Sequence, residues 1–187
     1  AVRAMECLIP RRERLDPELE RRYRAGQRKR LLPLLRAGAT AGAVLMLAFV
    51  VWDRQFDPMH MEATLMVRAI VAAILVAVSA ASMTRLASVA QDGLVMVGLW
   101  ASVTGIMVIG GTIHGHFEGT PAALMLIMLY GSASAGDLRV QAAAGLGYLI
   151  IPNAVMYAAG APMSAVVTVN LFLVSGTGSS LLLAYLA

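Results

Sequence analysis

Residues 28–53 read RKRLLPLLRAGATAGAVLMLAFVVWD. A cluster of basic residues leads into an apolar stretch of about 20 residues, enough to carry a helix across a hydrocarbon core. The stretch ends on an acid. Lys and Arg are retained on the cytoplasmic side during insertion, so this reads as a first transmembrane helix entered from the cytoplasm. The rest of the chain agrees. Eleven of its 15 Lys and Arg lie at or before Arg36, and only Arg54, Arg68, Arg85 and Arg139 follow.

Apolar residues make up 59% of the 187-residue chain and charged residues 14%, against about 25% charged in a soluble domain. Five further apolar stretches cover about residues 63–83, 93–113, 121–136, 140–159 and 163–187, after a first span at about 31–52. The expected fold is therefore all-α: a polytopic membrane protein of six transmembrane helices with an N-terminal cytoplasmic basic helix. Transmembrane strands would alternate rather than run continuously apolar. The loops fit one orientation. Residues 53–62 are acidic on balance and fall outside, 84–92 carry Arg85 and fall inside, 114–120 hold no Lys or Arg and fall outside, and 137–139 and 160–162 are tight turns. Six crossings place both termini in the cytoplasm.

Two regions result, residues 1–30 and residues 31–187. In the first, Asp16-Pro17-Glu18 supplies an N-cap, a proline at the first helical position and an acid in the first turn, so a helix is expected from about residue 16. Its Arg21, Arg24, Arg28, Lys29 and Arg30 are expected to contact lipid phosphates. The alternative is docking on a cytoplasmic partner domain. A basic segment beside a span meets headgroups rather than nucleic acid. The N-terminus lacks the apolar core of a cleavable signal peptide. The single Cys7 excludes an internal disulfide framework and a Cys-rich metal cluster.

Small residues mark where helices approach closely, because lipid offers no hydrophobic drive for association. Gly38 and Gly42 form a GxxxG, Gly145 and Gly147 thin the fifth span, and Ser175, Gly176, Gly178, Ser179 and Ser180 lie in the sixth. They suit internal packing or a dimer seam. Pro152 removes a helix hydrogen bond and should kink the fifth span or free a carbonyl one turn earlier.

Polar residues inside spans are the candidate site. Arg68 lies just inside the outer end of the second span, where an unpaired charge costs about 2–3 kcal/mol at full depth. It either snorkels or pairs with Asp53, Asp57 or Glu62, or it binds an anion at a pocket mouth. Asn153, Tyr157 and Asn170 fall in the same outer half. They either join helices by hydrogen bonds or line a cavity with Arg68. His60, His114 and His116 are assigned to the outer side, and His60 is flanked by Met59 and Met61; imidazole and thioether suit copper, while exposed loop histidines are also commonly unliganded. No histidine pair sits at the matched depth that bis-His haem ligation needs. There is no phosphate-cradling Gly loop, no nucleophile with a base, and no zinc-ligand helix. The sequence requires no cofactor.

The order of features resembles the six-helix membrane module at the N-terminus of bacterial nucleotide cyclases, class III adenylate and guanylate cyclases and some diguanylate cyclases. The resemblance rests on Leu15 to Tyr23 before the membrane, the basic run entering the first span through Arg36 and leaving at Trp52-Asp53, Arg68, and Asn170-Leu171-Phe172 followed by Leu183 to Ala187. It implies a bacterial inner membrane, a homodimer or larger membrane assembly, and a sixth span that continues into a cytoplasmic catalytic domain. The metal-binding aspartates of cyclases are absent, so no residue here inherits catalysis. The resulting expectation is a membrane anchor and sensor module of a nucleotide cyclase. The alternative is a structural accessory subunit of a larger membrane complex. A small transporter is disfavoured, since paired broken helices and an internal repeat are missing.

Overall fold

The computed structural model describes residues 17–85, 87–113, 117, 120–134 and 138–186. Its regular elements are all helices: α1 (Pro17–Ala48), α2 (Val50–Phe56), α3 (Met61–Ala81), α4 (Ala87–Thr112), α5 (Thr120–Ser134), α6 (Leu138–Ala158) and α7 (Met163–Leu186). Among the described residues five segments are long and apolar enough to cross a membrane: Arg30–Gln55, Met61–Ala81, Ala90–Thr112, Arg139–Ala158 and Met163–Leu182. The fourth expected span is the departure. α5 has 15 residues, about 22 Å at 1.5 Å per residue, which is short of a hydrocarbon core of about 30 Å.

The helices pair as three antiparallel hairpins. In the first, α1 and α2 return as α3, and Gly42 faces Leu75. In the second, α4 returns as α5, with Leu99 against Gly131 at one end and Phe117 against Gly111 at the other. In the third, α6 returns as α7, and Gly145 faces Thr177. α4 packs on both α3 and α6, and α5 packs on α7, which closes the bundle.

Local chemistry explains several boundaries. α1 is unbroken from Pro17, so the basic stretch and the first span form one helix with Pro33 inside it. Proline at the first helical position lacks only a donor that would have no helical partner. Near Ala48 the helix merely slips: Phe49 keeps α-helical angles, and α2 carries the span onward to Phe56. Ala90 leaves helical geometry, φ −112° and ψ 19°, and kinks α4 after its first turn. Pro152 stays within a continuous α6. That helix ends where Ala161 N–H reaches back to the Met156 carbonyl at 2.9 Å and Gly160 takes φ 65°. The left-handed angle is one that glycine adopts without a Cβ penalty.

The main core gathers Leu35, Val78, Leu99, Val103, Met107, Leu124, Met128, Tyr148 and Leu173. Outward faces are also apolar: Val44, Met66, Val76, Leu146, Ile150, Leu171 and Leu182 are exposed. In water such a surface marks an interface. On helices long and apolar enough to cross a membrane, it is also the surface that a lipid environment would suit.

Candidate functional site

The bundle's two ends carry different polar groups. One end holds Arg68, on α3. Its guanidinium grips Asp53 with both faces of its fork: Nε donates to Oδ2 at 2.6 Å and Nη2 to Oδ1 at 2.7 Å. Nη1 points at the Met46 carbonyl, 3.5 Å away, and the Phe49 ring centroid is 5.7 Å from Cζ. The side chains of Arg68 and Asp53 are 9% and 3% exposed. A bidentate charged pair is strong and directional, and both its partners and the aromatic face come from the first hairpin. The sequence offered three carboxylates for Arg68, and the structure selects Asp53. Asp57 instead lies beside His60, with Nδ1 2.7 Å from Oδ2, and closes the loop into α3. Arg68 therefore presents a neutralised group, not a free cation at a pocket mouth.

Asn153 and Asn170 occupy the same half of the third hairpin. Each Nδ2 donates to the other's Oδ1 at 2.8 Å. The second donor of each goes to its own helix, Asn153 to the Leu149 carbonyl at 2.7 Å and Asn170 to the Val166 carbonyl at 2.9 Å. Both amides are thereby satisfied, and the Leu149 carbonyl lies in the turn that Pro152 loosens. Tyr157, one turn beyond Asn153, is 90% exposed. Among the described residues α3 packs against neither α6 nor α7. Arg68, the Asn pair and Tyr157 thus do not converge on one cavity.

The histidines also separate. His60 is engaged with Asp57, and His114 and His116 lie outside the described residues. Among the described residues no group of three metal-ligating side chains converges. Of the expected headgroup contacts, Arg30 is exposed on α1, while the side chains of Arg21, Arg24, Arg28 and Lys29 lie outside the described part of the structure.

The opposite end holds contacts that the sequence did not single out. Arg36 donates from Nε to Ser82 Oγ at 3.1 Å and from Nη2 to the Ser82 carbonyl at 2.7 Å, where α3 ends. A cation at a helix C-terminus meets the negative end of its dipole. Thr40 and Ser79 exchange a hydroxyl bond at 3.0 Å one turn further in. Tyr130 on α5 donates its hydroxyl to the Leu34 carbonyl at 2.7 Å, with Leu35 O at 3.2 Å. Its ring lies directly on Gly38, where a Cβ has no room. Gln141 on α6 donates to Ser180 on α7. Four buried side-chain atoms have no hydrogen-bond partner among the described residues: Gln91 Oε1, Gln141 Oε1, Thr177 Oγ1 and Tyr148 OH. Glutamines inside apolar stretches were visible signals for this end, as Gln91 and Gln141.

The groove between α4 and α6 has a volume of about 420 Å³ and is lined by Trp100, Ala143, Leu146, Gly147, Ile150 and Ile151. Ligand sites orient their guests with a few placed polar groups. This groove offers apolar surface, with the Trp100 indole seated on Gly147. Arg36, Thr40, Asp53, Arg68, Tyr130, Gln141, Asn153 and Asn170 thus each join one helix to another. The chain matches no family model, no curated protein and no solved structure.

Proposed function

We propose that the chain is the membrane anchor and sensor module of a bacterial nucleotide cyclase, passing a stimulus through its last helix to a cytoplasmic catalytic domain. The observation that supports this reading is the use of the polar groups. Arg36, Thr40, Asp53, Arg68, Asn153 and Asn170 all bind a neighbouring helix. A bundle so joined can hold alternative helix arrangements. A stimulus acts by favouring one of them through differential affinity. The link to cyclases specifically rests on the sequence resemblance.

In this reading the chain crosses the bacterial inner membrane six times and keeps both termini in the cytoplasm. α5 counts as a crossing despite its length. Phe117, just before it, lies with Ala159 against Gly111 at one end of the bundle, and Tyr130 reaches Leu34 at the other. Arg28 to Arg30 lie at the cytoplasmic headgroup level, and two copies of the chain form the signalling unit.

The coding sequence beyond Ala187 tests the proposal. A cyclase catalytic domain in frame after a short helical continuation supports it. A stop codon at that point, or an unrelated domain, overturns it, and a stop codon favours the structural accessory subunit.

A further inference from the structure

The three hairpins are joined by different kinds of contact. The first is tied along its length by Arg36 to Ser82, Thr40 to Ser79 and Arg68 to Asp53. The third is tied at both ends by Asn153 to Asn170 and Gln141 to Ser180. The middle hairpin packs apolar and small side chains on its neighbours: Val71 on Gly105, Leu75 on Gly98, Trp100 on Gly147 and Met128 on Gly176. Such surfaces slide at little cost, since in lipid both positions remain covered by apolar atoms. Tyr130 adds a directional bond to these contacts. It bonds the first hairpin's backbone at Leu34 and Leu35, at the end where Arg36 also fixes α1 to α3.

We propose that Tyr130 is a latch that fixes the middle hairpin to the first at the cytoplasmic end and opens when the bundle changes arrangement. Three features make this bond, rather than the others, the reversible one. Tyr130 is only partly buried, close to the basic end of α1. A tyrosine hydroxyl at a membrane interface has water and headgroups as alternative partners, so releasing the Leu34 carbonyl leaves it satisfied. Gln141 and Asp53, by contrast, are buried and have no such exchange available. The closed position is specific because the ring needs the bare backbone of Gly38 to reach the carbonyl. Pro33, immediately before the latched carbonyls, removes a helix hydrogen bond at that level. The latch therefore sits where α1 is most readily bent, between the pinned span and the basic helix of residues 17–30.

The role assigned to this latch rests on the sensor reading, but its test reads helix geometry alone, so the two can fail separately. Spin labels at Arg30→Cys on α1 and Gly93→Cys on α4, both exposed, in a Cys7→Ser background, report the spacing of the first and middle hairpins at the cytoplasmic end by pulsed electron resonance in nanodiscs. Tyr130→Phe keeps the ring and removes the bond. It is expected to raise the longer-distance population about fivefold, the factor carried by one net hydrogen bond. Gly38→Ala expels the ring and is expected to shift the distribution further. Tyr157→Phe, on an exposed face, is the control and leaves it unchanged. If Tyr130→Phe gives the parent distribution, the latch does not exist, whatever Gly38→Ala does to folding.

Discussion

Asn153 and Asn170 form a closed amide ring across the third hairpin, each giving one N–H to the other at 2.8 Å and the second to a carbonyl of its own helix. Neither has a donor left for a ligand. Replacing Asn170 with Leu strands the Asn153 amide and is expected to lower bundle stability by about 1–2 kcal/mol, the range of interhelical hydrogen bonds in lipid. The double replacement with Leu removes the stranded group too, and should cost less than the two single changes added together. Unfolding in mixed micelles measures all three variants. Strict additivity would mean that the two amides do not interact.

Arg68 and Asp53 make a stronger demand. Both are buried, and the guanidinium is neutralised by that one carboxylate. Asp53→Asn leaves a buried cation without its counter-charge and is expected to cost about 3–5 kcal/mol. Arg68→Lys keeps the charge but loses the two-pronged geometry, and should recover only part of the stability. Arg68→Met with Asp53→Leu removes both charges and is expected to fold better than either single variant. The same unfolding assay decides it. A double variant worse than Asp53→Asn would show that the site needs the charges for more than pairing each other.

Gly147 supports the Trp100 indole, and a Cβ there would overlap the ring. Gly147→Ala should cost about 1–3 kcal/mol, the range for overpacking, and shift Trp100 emission as the indole moves. Trp100→Leu should relieve the clash, so the pair of changes should be milder than Gly147→Ala alone. Emission is read against Trp52, the other tryptophan, held as Phe. An unchanged spectrum would place Trp100 elsewhere.

The spans were legible because continuous apolar runs have one cheap solution in lipid, a helix with its backbone bonded internally. Arg68, Asn153 and Asn170 were legible as costly residues. Their partners were not, because pairing depends on how each helix is rotated. A simple reflection would have found them. Asn153 and Asn170 lie equally far from the Gly160–Pro162 turn to within a residue, as do Gln141 and Ser180. Arg36 and Ser82, Thr40 and Ser79, and Asp53 and Arg68 are all centred close to His60. Antiparallel hairpins with short turns enforce that register. Tyr130 and Leu34 follow no such symmetry, since they join two hairpins, and the missing Cβ of Gly38 that admits the ring has no periodicity to reveal it. The GxxxG of Gly38 and Gly42 faces Tyr130 and Leu75 of the same chain.

The eleven basic residues at or before Arg36 predict an orientation with that end in the cytoplasm. Reporter fusions ahead of Pro17 and after Leu186 are both expected to give the cytoplasmic signal. A fusion in the turn at Gly160 should give the opposite one. If the signal at Leu186 differs from that at Pro17, α5 does not cross, and the five long helices are the whole count.

The last prediction separates two glycines in α7. A Cβ on Gly176 would press on Met128, which is buried in the core. A Cβ on Gly178 meets nothing within 4 Å. Gly176→Leu must therefore push α5 and α7 apart, at about 1–3 kcal/mol. Gly178→Leu places a side chain on the exposed face and gains helix propensity of about 1 kcal/mol. If α7 carries a signal by its packing against α5, Gly176→Leu changes the output of a cytoplasmic domain fused after it, and Gly178→Leu does not. Both variants should insert, which the reporter fusions check. The reverse result, with Gly178 sensitive and Gly176 silent, would move the working contact of α7 from the bundle interior to its exposed face. That face then belongs against a second copy of the chain.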